Sequence, residues 1–123
     1  MTALATHIRV ATVLAVAAFT MAAVFPAASA QAAETLVQID HFIFAPQRVS
    51  VKAGTTVTWV NDDDIPHVVV ASNKLFKSKT LDTNDKFSFT FTTPGTYEYF
   101  CSLHPHMTGT IVVEAATGSN AAQ

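Results

Sequence analysis

Residues 97–113 read Tyr97-Glu98-Tyr99-Phe100-Cys101-Ser102-Leu103-His104-Pro105-His106-Met107-Thr108-Gly109-Thr110-Ile111-Val112-Val113. Two apolar, strand-like runs flank a short loop in this stretch. A thiol (Cys101), an imidazole (His104) and a thioether (Met107) follow one another in the loop at i, i+3 and i+6. Sulfur and nitrogen donors this close together are ligands that a soft transition metal prefers, so the loop predicts a metal site.

Copper is the metal that suits these donors best. Sulfur ligands stabilise Cu(I), while imidazole nitrogen keeps Cu(II) acceptable. A trigonal site of two His and one Cys with a weak axial Met needs a second His from elsewhere in the chain. We expect it to be His67, in the run Asn61-Asp62-Asp63-Asp64-Ile65-Pro66-His67-Val68-Val69-Val70. Zinc also accepts Cys and His, but the thioether of Met107 argues against zinc.

His106 is a rival to His104 as the histidine ligand of the loop. Only Pro105 separates the two residues, so binding of both imidazoles to one ion is sterically awkward. The spacing of His104 from Cys101 favours His104 as the ligand.

The first thirty residues have the features of an export signal. Arg9 precedes an apolar run over residues 10–25, and Ala28-Ser29-Ala30 is a small-residue cleavage signature, with Ala30-Gln31-Ala32 as an alternative. The run ends at Pro26 and is shorter than the roughly 20 residues that span a bilayer. We predict a cleaved secretory signal peptide over residues 1–30, a domain over residues 31–114 and a flexible tail over residues 115–123, without stable membrane association.

The cysteine content supports an occupied thiol. Cys101 is the only cysteine of the chain, and an exported protein enters an oxidising compartment in which cysteines normally pair. An inert, buried cysteine is the alternative. The neighbouring His104 and Met107 favour a metal ligand instead.

The charge of the mature chain excludes one class of partner. Without Arg9, six Lys and Arg stand against nine Asp and Glu, which gives a formal net charge of −3 with neutral His. A negative chain without a basic tract is a poor nucleic-acid binder.

The mature chain reads as strands throughout. Residues 36–39, 47–52, 55–60 and 86–91 are β-branched or alternating, and residues 67–71, 96–100 and 109–114 supply further strands. Turn chemistry separates them, as at Thr93-Pro94-Gly95. Seven or eight short strands predict an all-β fold, a two-sheet antiparallel sandwich. Trp59 and the phenylalanines are expected in its core.

The residues that carry the resemblance to a known family lie along nearly the whole mature chain. They are Phe42-Ile43-Phe44-Ala45-Pro46, Val51-Lys52-Ala53-Gly54-Thr55-Thr56-Val57-Thr58-Trp59-Val60-Asn61, Pro66-His67 and residues 97–114. Together they resemble the cupredoxins, the type 1 blue copper proteins. The short Cys-x-x-His-x-x-Met loop is similar to that of the amicyanins in particular.

The resemblance implies a Greek-key β-sandwich with one copper ion bound by His67, Cys101, His104 and an axial Met107. It also implies a monomeric periplasmic carrier that shuttles one electron between redox proteins. An amine dehydrogenase and a c-type cytochrome are the partner classes of the amicyanins. The ligand set leaves no open position for a substrate, so we expect a carrier and not an enzyme. The alternative is a copper-binding protein for delivery in periplasmic copper homeostasis.

The sequence departs from the amicyanin pattern at three positions. Val68 follows the first histidine where amicyanins have Asn, Leu103 stands where proline is common, and His106 replaces an aromatic residue. The backbone N–H of Val68 remains available to donate to the sulfur of Cys101.

Other polar residues are expected to be structural or solvent-exposed. The run Asp62-Asp63-Asp64 lacks the ligand periodicity and glycine of a calcium loop, so a solvated turn is predicted. Lys74, Lys77 and Lys79 are expected at the surface, where they could form a docking edge for an acidic partner. His41 is expected at a strand end.

Overall fold

The structure is a computed structural model that describes residues 18, 21–26 and 33–116. Most of the predicted signal peptide (residues 1–30) and of the predicted tail (residues 115–123) therefore lies outside the described residues, and both stay predictions. Within the described ranges, no helix has the length and hydropathy needed to cross a membrane.

Eight strands and no helix make up the secondary structure of residues 33–116, which confirms the all-β prediction. The strands are β1 (Glu34–Asp40), β2 (Ile43–Ala45), β3 (Arg48–Lys52), β4 (Thr55–Asn61), β5 (Val69–Ala71), β6 (Lys86–Phe91), β7 (Gly95–Cys101) and β8 (Thr108–Glu114). Strand β2 was not predicted as a strand, and β5 begins two residues later than the expected run over residues 67–71.

The strands form two sheets of four, in the orders β2-β1-β4-β6 and β3-β8-β7-β5. The chain changes sheet at every connection from β2 to β7. Strands β1 and β4 pair in parallel, as do β3 and β8, whereas the other pairs are antiparallel. The two-sheet sandwich is confirmed, but the expectation of purely antiparallel sheets was wrong. Crossing between sheets allows parallel pairing, which a short hairpin cannot make.

The alternation of the strands explains the core. In β6 the phenylalanines face inward and the polar residues between them face solvent. Strand β4 has a partner on both sides, and its Trp59 is fully buried. The Trp59 ring lies 5.3 Å from the ring of Tyr99 and 5.7 Å from that of Phe87, measured between centroids. The expected core positions of Trp59 and the phenylalanines of β6 are thus confirmed, but the expectation was wrong for Phe42, which lies in a turn and is 52% exposed.

The predicted metal ligands lie at one end of the sandwich. Cys101 is the last residue of β7, and Met107 directly precedes β8. His67 lies between β4 and β5, where it forms an isolated bridge with Leu81. The site is therefore built from two loops that the sandwich holds side by side.

Candidate metal centre

The loop between β7 and β8 is folded by its own backbone hydrogen bonds. The N–H of Cys101 donates to the carbonyl of Met107 at 3.0 Å, the N–H of His104 to that of Cys101 at 3.1 Å, and the N–H of Met107 to that of His104 at 2.9 Å. These bonds bring three donor residues of a seven-residue span into one compact turn. The short spacing read from the sequence thus becomes a short distance in space.

The loop that carries His67 is held from both sides. Leu81 exchanges two backbone hydrogen bonds with His67, at 3.1 and 2.7 Å. The Asn61 side-chain amide donates to the carbonyls of Ile65, at 2.8 Å, and Leu81, at 2.9 Å, and its oxygen accepts from the N–H of Asp63 at 3.0 Å. Asn61 is fully buried, so these bonds satisfy the polar groups of its side chain and fix the path of the loop.

The two loops bring His67, Cys101 and His104 together. The Cys101 Sγ lies 3.7 Å from Nδ1 of His67 and 3.6 Å from Nδ1 of His104, and one donor atom from each residue lies within 4.8 Å of the others. Metal bonds of about 2.3 Å to sulfur and about 2.0–2.1 Å to nitrogen, as in zinc sites, put such donors about 3.6–3.8 Å apart around one ion. The three side chains therefore fit a single metal ion.

The sulfur of Cys101 is buried and accepts a hydrogen bond from a backbone amide. The side chains of Cys101 and His67 are fully buried, and Met107 is 4% exposed. The backbone N–H of Val68 donates to the Cys101 Sγ at 3.4 Å. The backbone hydrogen bond from Val68 to Cys101 is the contact expected from the sequence. It connects the two ligand loops without an Asn side chain at position 68.

Asp63 is a residue of the site that sequence reasoning missed. The expected solvated turn holds for Asp62 and Asp64, which are exposed, but it is wrong for Asp63. Its side chain is 11% exposed, and its Oδ2 lies 2.8 Å from Nε2 of His67. An aspartate four residues before a candidate histidine ligand was the available signal, but spacing alone does not show that the side chain turns inward.

The pKa of Asp63 reflects its position. Burial works to raise the pKa, but hydrogen bonds from the backbone N–H groups of Phe42 and His41 and from His67 outweigh burial and lower it below its ordinary value. Asp63 is therefore an anion beside the imidazole of His67.

The turn between β1 and β2 places an aromatic ring beside the two histidines of the site. His41 is the strand-end residue that was expected, since it directly follows β1. His41 and Phe42 have left-handed φ values of 50° and 60°, as a two-residue hairpin turn requires. The Phe42 ring meets the rings of His67 and His104 edge-on, with centroids 5.9 and 4.9 Å apart.

The other histidine of the loop and the three predicted surface lysines are exposed. His106 is exposed and lines a small cavity with Phe42 and Gln47, and it does not belong to the donor group of His67, Cys101 and His104. The lysines expected at the surface, Lys74, Lys77 and Lys79, are all exposed.

Known proteins share this fold. Residues 11–113 match the family model of the cupredoxin-like domain, and the chain therefore belongs to the cupredoxin-like family. Within the family it is amicyanin-like. It is 37% identical to amicyanin-alpha of Methylorubrum extorquens over 119 residues, which cover 93% of this chain and 100% of that protein.

Two further comparisons also show similarity to amicyanins. Amicyanin of Paracoccus versutus is 33% identical over 93 residues, which cover 72% of this chain and 70% of that protein. A solved structure of an oxidized amicyanin mutant has a TM-score of 0.62 and 34% identity, covering 65% of this chain and 81% of that one. The predicted copper cofactor is confirmed by this membership, and the chain is a cupredoxin electron carrier rather than an enzyme.

Proposed function

We propose that this chain is an exported, periplasmic one-electron carrier with a type 1 copper site that His67, Cys101, His104 and Met107 would hold. The observation that carries the proposal is the buried thiol of Cys101 with the Nδ1 atoms of two histidines 3.6 and 3.7 Å away. When bound, copper supplies one-electron chemistry by alternating between Cu(II) and Cu(I).

The protein's part is to hold the ligands still. Cys101 is the last residue of β7, and Met107 directly precedes β8. Backbone hydrogen bonds close the loop between them. His67 is held by Leu81 and Asp63. A site whose ligands are fixed before the metal binds needs little rearrangement when the charge of the metal changes, which favours fast electron exchange.

His104 is the ligand that connects the site to the surface. Its side chain is partly exposed, whereas the other three proposed ligands are buried. Exposed apolar side chains lie on the same loop, on the neighbouring turn and at the start of β2: Leu103 is 48%, Phe42 52% and Ile43 58% exposed. An apolar patch around a partly exposed ligand suits brief docking of a redox partner. An amine dehydrogenase as donor and a c-type cytochrome as acceptor are the partners that the resemblance to the amicyanins implies.

The burial of the donors favours a carrier over a copper-delivery protein. Delivery requires an ion that partners can reach and exchange, whereas His67 and Cys101 are fully buried and Met107 nearly so. The single partly exposed ligand provides a path for an electron and not for an ion.

A Cu(II) titration of the mature protein tests this function. We expect an intense visible thiolate-to-copper charge-transfer band at one equivalent, and its loss in Cys101→Ser, because serine oxygen cannot supply that transition. Circular dichroism of the variant should show the same strands. A colourless wild type would contradict the type 1 site, and a band that persists in Cys101→Ser would contradict the ligand assignment.

The role and location need separate measurements. Rapid mixing of the reduced protein with an oxidised c-type cytochrome should transfer electrons while copper stays bound. Copper passing to the partner would support delivery instead. N-terminal sequencing of the exported protein checks cleavage near residue 30, and an intact leader on the exported chain would contradict it.

A further inference from the structure

The carboxylate of Asp63 connects two parts of the structure that are distant in sequence. Its Oδ1 accepts a hydrogen bond from the backbone N–H of His41 at 2.8 Å, and its Oδ2 accepts one from the N–H of Phe42 at 3.2 Å. The same Oδ2 lies 2.8 Å from Nε2 of His67. One side chain thus holds the β1–β2 turn and a proposed copper ligand at the same time.

The contact with His67 determines which nitrogen of the imidazole carries the proton. An ionised carboxylate only accepts hydrogen bonds, so Nε2 must be the donor. In the neutral imidazole, the form that binds a metal, Nδ1 is then left with a free lone pair, and this atom lies 3.7 Å from the Cys101 sulfur. Hydrogen bonding of the second ring nitrogen to a carboxylate is a general way to orient a metal-binding histidine.

The contacts with the turn determine where the Phe42 ring lies. His41 and Phe42 both adopt left-handed backbone conformations that residues other than glycine rarely take. The carboxylate of Asp63 binds the N–H groups of both residues and stabilises this conformation. The Phe42 ring is then placed edge-on against the rings of His67 and His104, at 5.9 and 4.9 Å.

We propose that Asp63 is a positioning residue of the metal centre: it sets the His67 tautomer for metal binding and, through the amides of His41 and Phe42, seats the Phe42 ring against both histidines. The inference rests on the proposed function in that it takes both histidines as ligands. The turn between β1 and β2 thereby belongs to the site, although it supplies no ligand.

Two variants and a matched control separate positioning from charge. Asp63→Ala removes all three contacts. Asp63→Asn keeps the shape, but its single carbonyl oxygen cannot serve three donors on both sides of the group. The control is Asp62→Asn, which removes the same charge from the neighbouring exposed residue. A loss of negative charge alone would affect Asp62→Asn and Asp63→Asn alike.

The first readout needs no metal. In the copper-free protein, nitrogen-15 NMR of the imidazoles should show one His67 tautomer with the proton on Nε2, in the wild type and in Asp62→Asn. Asp63→Ala should show a mixture and should lose the nuclear Overhauser contacts between Phe42 and His104. A single unchanged tautomer with intact Phe42 contacts in Asp63→Ala would overturn the proposal.

The second readout is the Cu(II) affinity from chelator competition. We expect Asp63→Ala to bind Cu(II) about 10- to 100-fold more weakly than the wild type, as is typical when the carboxylate partner of a histidine ligand is lost. Asp63→Asn should lie between the two, and Asp62→Asn should match the wild type. Equal losses in Asp62→Asn and Asp63→Asn would overturn the proposal, because charge alone would then explain them.

Failure of the proposed function can be told apart from failure of the inference about Asp63. A wild type without a thiolate-to-copper band would contradict the type 1 site, while the tautomer and the Phe42 contacts of the copper-free protein would still test Asp63. If Asp63→Ala does not fold, Asp63→Asn supplies both readouts. A wild-type tautomer, intact Phe42 contacts and wild-type affinity in Asp63→Asn would then overturn the proposal.

Discussion

Cys101 shows how much of the site depends on single atoms. Its sulfur has the N–H of Val68 at 3.4 Å and an imidazole nitrogen on either side at 3.6 and 3.7 Å. An N–H donor to a thiolate ligand withdraws electron density from the sulfur and is one of the means by which proteins tune a metal. Because Val68 makes this contact through its backbone, side-chain replacements at position 68 leave the donor in place.

Met107 allows a test of the axial ligand. Met107→Gln should keep a copper site but lower its reduction potential, because a harder oxygen donor stabilises Cu(II) relative to Cu(I). Voltammetry of the loaded protein measures the change, and Leu103→Gln, which adds the same amide at an exposed position of the loop, is the control. A potential that does not move in Met107→Gln would mean that Met107 is not the axial ligand.

Because of the buried Tyr99, we expect the folded protein to lose stability at alkaline pH. Burial raises the pKa of Tyr99 to about 12. A raised pKa means that the folded protein prefers the neutral phenol, so its contribution is fully present below pH 10 and is lost as the pH rises towards about 12. A shift of this size corresponds to about 2–3 kcal/mol in the free energy of unfolding.

Denaturant unfolding of the copper-free protein between neutral pH and pH 12 measures this loss. Tyr99→Phe should lack the alkaline loss. It should also be at least as stable at neutral pH, because the buried Tyr99 hydroxyl has no hydrogen-bond partner among the described residues. Tyr97→Phe keeps Tyr99 and should keep the loss. The same alkaline slope in Tyr99→Phe and wild type would exclude Tyr99 as its source.

Between strands, the pairing of β7 with β8 depends on one glycine. Gly109 lies opposite Tyr99 in the register, and a Cβ at Gly109 would overlap the ring and hydroxyl of Tyr99. The Tyr99 ring has little room to move away, because it is packed against Phe44 and Trp59 at centroid distances of 4.7 and 5.3 Å. The missing side chain of Gly109 is therefore what allows an aromatic residue at this point of the core.

Gly109→Ala should consequently destabilise the fold. We expect a loss of about 1–3 kcal/mol in the free energy of unfolding, the usual cost of overpacking a core. Thermal or denaturant unfolding measures it, and Thr108→Ala, at the exposed neighbouring position, serves as the control. Equal stability of Gly109→Ala and wild type would show that the strands can separate enough to admit the methyl group.

The β1–β2 hairpin shows a similar dependence between elements. Its two turn residues are not the Asn-Gly or Gly-Gly pair that favours such a turn. The carboxylate of Asp63, in the loop after β4, supplies the missing stabilisation by accepting the N–H groups of His41 and Phe42. The conformation of one loop is thus maintained by a side chain of another.

For the molecule as a whole, Cys101 and Met107 belong to the buried core, but the aromatic cluster of that core contains none of the proposed ligands. The aromatic cluster of Trp59, Phe76, Phe87, Phe91 and Tyr99 lies within the sandwich, whereas the ligands lie at one end of it. Folding should therefore not require the metal, but a metal that binds only the folded protein adds stability by mass action.

Removal of copper tests this separation. Circular dichroism of the copper-free protein should retain the strand spectrum, and its melting temperature should be lower. Free copper at about 1,000 times its dissociation constant should stabilise the fold by about 4 kcal/mol. Calorimetry with and without copper measures the difference, with the chelator-treated Cys101→Ser variant as the reference. A copper-free wild type without β-structure would contradict the prediction.

The sequence determined the features that depend on neighbouring residues. Alternation predicted most strands, as in Lys86–Phe91, and the spacing of Cys101, His104 and Met107 predicted a compact group of donors, because few residues separate them. The burial of Trp59 followed from its size and apolar neighbours. Such patterns depend only on residues within one segment, so they can be recognised without knowing where that segment lies in the fold.

Only the tertiary structure decided the relations between distant segments. Alternation is the same in parallel and antiparallel strands, so it could not show that β1 pairs in parallel with β4. The turn before β2 has no local turn signal because Asp63, 21 residues after Phe42, stabilises it. The role of Asp63 was hidden for the same reason: whether an aspartate faces water or a ligand depends on which donors the fold brings to it, and those donors come from elsewhere in the chain.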